Sequence, residues 1–104
     1  MLLTEILPHL ADELEQLLRK AGKPLLAAQV SQLTIVERCR CGDDFCASFY
    51  TQPKPEGKYG PGHDCMDLDA AEGMLLLDVV DGKIAHVEIL NRDDIRQKLI
   101  TALP

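Results

Sequence analysis

Met74-Leu-Leu-Leu-Asp-Val-Val80, then Asp81-Gly82, then Lys83-Ile-Ala-His-Val-Glu-Ile-Leu90 is the stretch that decides the fold. Both flanks are apolar and rich in β-branched residues. Asp-Gly between them is the strongest short hairpin signal, because both turn positions need positive φ. The stretch predicts an antiparallel hairpin, and counting outward from the turn sets His86 opposite Leu77. A histidine so placed reads as a half-exposed sheet residue.

Beyond the hairpin, Asn91 reads as the cap of a last helix, with Asp93 and Asp94 in its first turn and Ile95, Leu99, Ala102 and Leu103 on its buried face. Before it, residues 52–73 hold Pro53, Pro55, Gly57, Gly60, Pro61 and Gly62, a spacing that neither helix nor strand tolerates. A long Pro/Gly-rich loop is expected there, closing on a one-turn helical cap from Asp69 to Glu72. Further upstream, Leu33, Ile35, Cys39 and Cys41 alternate with Thr34, Val36, Arg38 and Arg40, which reads as a strand. Gly42, Asp43 and Asp44 turn the chain, and Phe45 to Thr51 returns, giving a second hairpin.

The amino-terminal part is helical. Leu10, Leu14, Leu17, Leu18 and Ala21 recur at helical spacing, Pro8 suits the first turn, Arg19 and Lys20 suit the last, and Gly22 with Pro24 ends the run. A short second helix is expected from Pro24 to Val30. The fold class is therefore α+β: an N-terminal helix, a short second helix, a four-stranded antiparallel sheet made from two hairpins, and a C-terminal helix. At 104 residues the chain is the size of one domain, 1–104.

Composition narrows the function classes. With 46% hydrophobic and 27% charged residues this is an ordinary globular chain. A net charge of −6 repels a phosphate backbone, and 4% aromatic residues leave few stacking surfaces, so no nucleic-acid partner is expected. No run approaches the ~20 apolar residues that span a bilayer, so no membrane partner is expected either. Met1 to Leu10 lacks the basic residues of a signal peptide, which makes the cytoplasm the expected compartment. The four cysteines should then remain thiols, bind metal or do redox chemistry.

Two stretches resemble small uncharacterised bacterial proteins of unknown function. One is Glu37-Arg-Cys-Arg-Cys-Gly-Asp-Asp-Phe-Cys-Ala-Ser-Phe-Tyr50; the other is the Asp-Gly-Lys hairpin ending in Glu-Ile-Leu, which is similar to domain-of-unknown-function families. The resemblance implies a bacterial source and carries no catalytic residue across.

Folding the cysteine hairpin about Asp43-Asp44 puts Cys41 opposite Cys46 and Cys39 opposite Ser48, so three thiols share one patch. They can be core residues, since free cysteine packs as a small hydrophobe and needs no cofactor. They can instead be ligands of a zinc ion, with Cys65 or, alternatively, His63 as the fourth, although C-x-C followed by C-x₄-C departs from the usual C-x₂₋₄-C pairs. Thiol chemistry is the third reading, in which Cys46 needs His63 or His86 nearby. Asp64, Asp67, Asp69 and Glu72 do not have EF-hand spacing and read as a solvated end to the loop. No Walker, G-x-G-x-x-G, G-x-S-x-G or H-E-x-x-H signature is present, and the balance leans against an enzyme. The simplest function is a non-enzymatic module that binds a protein partner or associates with itself as a homodimer; the alternative is a zinc- or thiol-dependent protein built on Cys39, Cys41 and Cys46.

Overall fold

In the computed structural model, which describes residues 1–104, Asp81 and Gly82 have φ of 52° and 78°, the turn that Asp-Gly prescribes. The strands it joins are β4 (Met74–Val80) and β5 (Lys83–Leu90). The remaining strands are β1 (Glu37–Arg38), β2 (Phe49–Tyr50) and β3 (His63–Leu68). The helices are α1 (Leu3–Ile6), α2 (Pro8–Lys20), α3 (Pro24–Gln29), followed by a 3₁₀ turn at Val30–Gln32, and α4 (Asp93–Ala102). The class is α+β, as expected. All strand pairs are antiparallel, in the order β1-β2-β5-β4-β3, which makes five strands where the hairpins alone predict four.

The additional strand, β3, lies inside the expected 52–73 loop and pairs with β4 along its whole length, from His63 opposite Val80 to Leu68 opposite Leu75. Its only inward apolar residues are Met66 and Leu68, too few for the alternation to stand out beside Asp64 and Asp67. The loop proper shrinks to the residues before His63. The expected helical cap at Asp69–Glu72 is absent, and that segment is a bend that carries the chain from β3 to β4.

One face of the sheet meets the helices. Phe49, Leu68, Leu75, Leu77, Val79, Ile84, Val87 and Ile89 pack with Leu3, Leu7, Leu10, Leu14, Leu18, Leu26, Ile95 and Leu99 in one contiguous core. Pro8 opens α2 as the sequence predicts, and Leu10, Leu14 and Leu18 are buried, whereas Leu17 is half-buried and Ala21, past the helix end, is exposed. The short α1 was not legible, yet it buries Leu3 completely. Asn91 does not cap α4: it takes φ 63° outside the helix, Arg92 holds the cap position, and no side chain caps it. Arg92 instead clamps Glu13 of α2 through two bonds of 2.9 and 3.0 Å, tying the start of α4 to the long helix. No helix is long and apolar enough to cross a membrane.

Register departs from expectation in one of the two hairpins and holds in the other. Between β4 and β5 a bulge makes Ala85 an extra residue: Val79 pairs with Ile84 as counted from the turn, but Asp78 pairs with His86 and Leu77 with Val87. His86 therefore faces Asp78 rather than Leu77. The reason is burial, since the slip lets Val87 and Ile89 join Leu75 and Leu77 in the core while His86 and Glu88 turn outward. Between β1 and β2 the expected register holds, with Glu37 opposite Tyr50 and Arg38 opposite Phe49, although the strands are two residues each rather than the longer runs expected. β2 also pairs with β5, and the chain before Phe49 continues along it, as the Ala47 N–H donates to the Ile89 carbonyl at 2.8 Å.

Candidate metal centre

The cysteine hairpin is positioned from below by Phe49, which is fully buried, and from the side by β5. Past the two-residue ladder, the Cys39 N–H still donates to the Ser48 carbonyl at 2.8 Å, and the same count brings Cys41 opposite Cys46. The Cys46 N–H closes the turn by donating to the Asp43 carbonyl at 3.2 Å. As a result the sulfurs of Cys39, Cys41 and Cys46 all lie within 4.8 Å of one another. Zn–S bonds of ~2.3 Å in a tetrahedron separate sulfurs by about 3.8 Å, so an ångström of side-chain rotation closes the difference. The arrangement is compatible with binding a metal ion.

None of these thiols belongs to the buried core: Cys39 and Cys46 are half-buried and Cys41 is exposed. That corrects the reading of the cysteines as core residues. The strand rises out of the core after Ile35, so the later positions of the alternation project past the edge of the helix layer.

Ser48 ties the cluster to the centre of the sheet. Its hydroxyl, almost wholly buried, accepts the Ile89 N–H at 2.9 Å and lies 3.4 Å from both the Ile89 carbonyl and the Cys46 sulfur. The neutral Cys46 thiol can donate to that hydroxyl; once ionised, it can accept the hydroxyl proton instead. Burial pushes Cys46 up, but hydrogen bonds from the Ser48 side chain and backbone, and from Cys41 and Cys39, outweigh it and bring Cys46 below an ordinary thiol. Cys39 moves the other way, to about 11, chiefly through burial and also because it gives hydrogen bonds to its neighbours and faces the Cys46 charge. Of Cys46 and Cys39, Cys46 is therefore the readier to ionise.

A cleft of about 40 Å³ opens beside the three sulfurs, lined also by Arg38, Asp43, Arg96, Leu99 and Ile100. Arg96 and its neighbours come from α4, some fifty residues downstream, and nothing in local spacing announces them. Ser48 was legible as the residue opposite Cys39, but its bond to Ile89 depends on a strand it does not adjoin in sequence.

The two residues expected to complete a zinc site do not join it. His63 and Cys65 lie on β3, at the opposite edge of the sheet. His63 Nε2 meets Asp78 Oδ1 at 2.8 Å, and His86 Nδ1 meets Asp78 Oδ2 at 3.0 Å, so one carboxylate holds both histidines. Tyr50 stacks on His86 at 4.4 Å, and Tyr59 from the 51–62 loop stacks on His63 at 4.7 Å. Burial and then the charges of Asp78 and Glu88 push Cys65 up, which keeps it a neutral thiol. Neither histidine can serve Cys46 as a base: Cys46 bridges Leu90, four strand residues or about 13 Å along β5 from His86. Asp64 and Asp67 lie exposed on β3, and Asp69 and Glu72 in the bend after it.

Comparison with protein-family models, with curated proteins and with solved structures finds no match to this chain.

Proposed function

We propose that this domain binds a soft metal ion, zinc in the first place, through Cys39, Cys41 and Cys46. The observation that supports it is the mutual distance of the three sulfurs, within 4.8 Å, at a place where core packing does not require thiols. Thiolates select soft ions, and hydrogen bonds from Ser48 that lower the Cys46 thiol favour its ionised form as a ligand. A reducing compartment such as the cytoplasm keeps such thiols free. Bound metal would fasten the irregular end of the hairpin, which otherwise has only a few backbone bonds.

Protein purified without chelator is expected to carry about one zinc per chain, and Cys39→Ser, Cys41→Ser or Cys46→Ser should each release it, whereas Cys65→Ser should not. Metal-free wild-type protein, or zinc retained in all three cluster variants, would overturn the proposal. Affinity should also climb with pH above neutrality, because Cys39, at about 11, must give up its proton to the ion.

A partner-binding or self-associating role is the second reading, favoured by the free edge of β3, whose six residues leave one side of their backbone unpaired. Asp64 and Asp67 on that edge oppose addition of an acidic strand, including its own copy. Sedimentation as a monomer at high concentration would remove the homodimer version of it.

A further inference from the structure

We infer that a metal ion held by the three cysteines keeps one coordination position open toward the cleft, and that this position takes a small anionic ligand, a thiolate or carboxylate, paired with Arg96. The inference rests on the metal-binding proposal and names what that site would exchange.

The first ground is the donor set. Three sulfurs gather, and no histidine or carboxylate joins them within the same 4.8 Å. Zinc with three protein ligands commonly completes its four positions with water or substrate, and a closed structural site has four. Asp43 lines the cleft, but its carboxylate stands outside the sulfur cluster, and its backbone carbonyl is what engages Cys46.

The second ground is the space. The cleft of about 40 Å³ exceeds the ~10–15 Å³ that admits one water, and does not reach the size of a drug-like pocket. A donor atom with a short tail fits; a large cofactor does not.

The third ground is charge. Arg38 donates through Nε to the Leu103 carbonyl and so is committed to holding the end of α4. Arg96, half-buried and lining the same cleft, enters no ion pair. The Arg96 guanidinium has no side-chain partner within the protein and shares the cleft with the three sulfurs, so an anion in the cleft supplies one. The fork of Arg suits a carboxylate, and its charge suits a thiolate.

The test uses cobalt in place of zinc and thiocyanate as the anion. Cobalt-loaded protein should show a thiolate-to-cobalt charge-transfer band and four-coordinate visible bands, and thiocyanate should shift the visible bands saturably. Arg96→Gln should weaken thiocyanate about tenfold or more, equivalent to about 1.4 kcal/mol, with Arg96→Lys in between and cobalt affinity unchanged. Asp43→Asn should leave both spectra as they are. Visible bands indifferent to thiocyanate, loss of the four-coordinate bands in Asp43→Asn, or an Arg96→Gln effect on cobalt affinity alone would each overturn the inference while leaving the metal site standing. Absence of the charge-transfer band would defeat the metal site itself, and the open position with it.

Discussion

The two hairpins of this sheet are held by different forces. In β4–β5, seven and eight residues alternate inward and outward, and the inward ones sit in the core. In β1–β2 only two residues per strand form a ladder, and what keeps the rest in place is the ring of Phe49, the Ser48 hydroxyl on Ile89 and the turn bond from Cys46 to Asp43. A strand built on apolar alternation is long and tolerant, because each residue adds burial. A segment built on a few specific bonds is short, and it leaves side chains free to gather for chemistry.

Core truncation should expose that difference most strongly. Leu77→Ala in β4 removes a fully buried side chain and should cost about 3 kcal/mol or more in denaturant unfolding. Cys41→Ala in metal-free protein removes an exposed one and should stay within about 0.5 kcal/mol. Similar losses for the two would mean that the cysteine hairpin is as much a part of the cooperative core as β4.

The hairpins also differ in how they could be read. The Asp-Gly turn fixed the start of the β4–β5 register, yet His86 ended opposite Asp78, since burial of Val87 and Ile89 was worth more than an uninterrupted ladder. The signal was present: Ile84, Val87 and Ile89 are apolar on a pattern that jumps phase by one at Ala85. In the cysteine hairpin the turn spacing sufficed to bring Cys41 against Cys46, even though the strands were overestimated. α2 was legible because its leucines repeat over three turns. β3 was not, because a six-residue edge strand with two inward apolar residues reads like the loop around it. Arg96 was out of reach of any local pattern, since it lines the cysteine cleft only because Ile95 and Leu99 pack α4 into the core.

Ser48→Ala probes the bond that joins the two regions. The Ile89 N–H would lose its acceptor inside the protein, which should cost about 1–3 kcal/mol. The same change removes a donor that holds Cys46 low, so the Cys46 thiol should rise toward an ordinary one. At neutral pH a smaller fraction would be thiolate, and alkylation of Cys46 in metal-free native protein should slow. Loss of stability with an unchanged alkylation rate would show that Ser48 anchors the sheet without acting on the sulfur.

The last contrast comes from the two turns. Gly82, at φ 78°, has nothing within 4 Å of where a Cβ would stand, so Gly82→Val adds no clash and its cost is that of a β-branched residue at positive φ, about 1 kcal/mol or more. For a domain of this size that is a fall of roughly 4–8 °C in melting temperature. Gly42, at φ 84° in the cysteine turn, is equally open to space, so Gly42→Val carries the same local penalty. The outcome should differ because of what surrounds each turn. At Gly82 the strain is locked in by two long strands, and the fold must bear it. At Gly42 the chain can relax over the few residues around the turn, which one bond from Cys46 to Asp43 closes and isolated bonds such as Asn91 N–H to the Phe45 carbonyl tether, so the melting temperature should fall less while the three sulfurs move apart and zinc binding weakens. Equal falls in melting temperature with zinc affinity intact would show that the cysteine turn is as rigid as the Asp-Gly turn, and that the contrast between the hairpins ends at their strands.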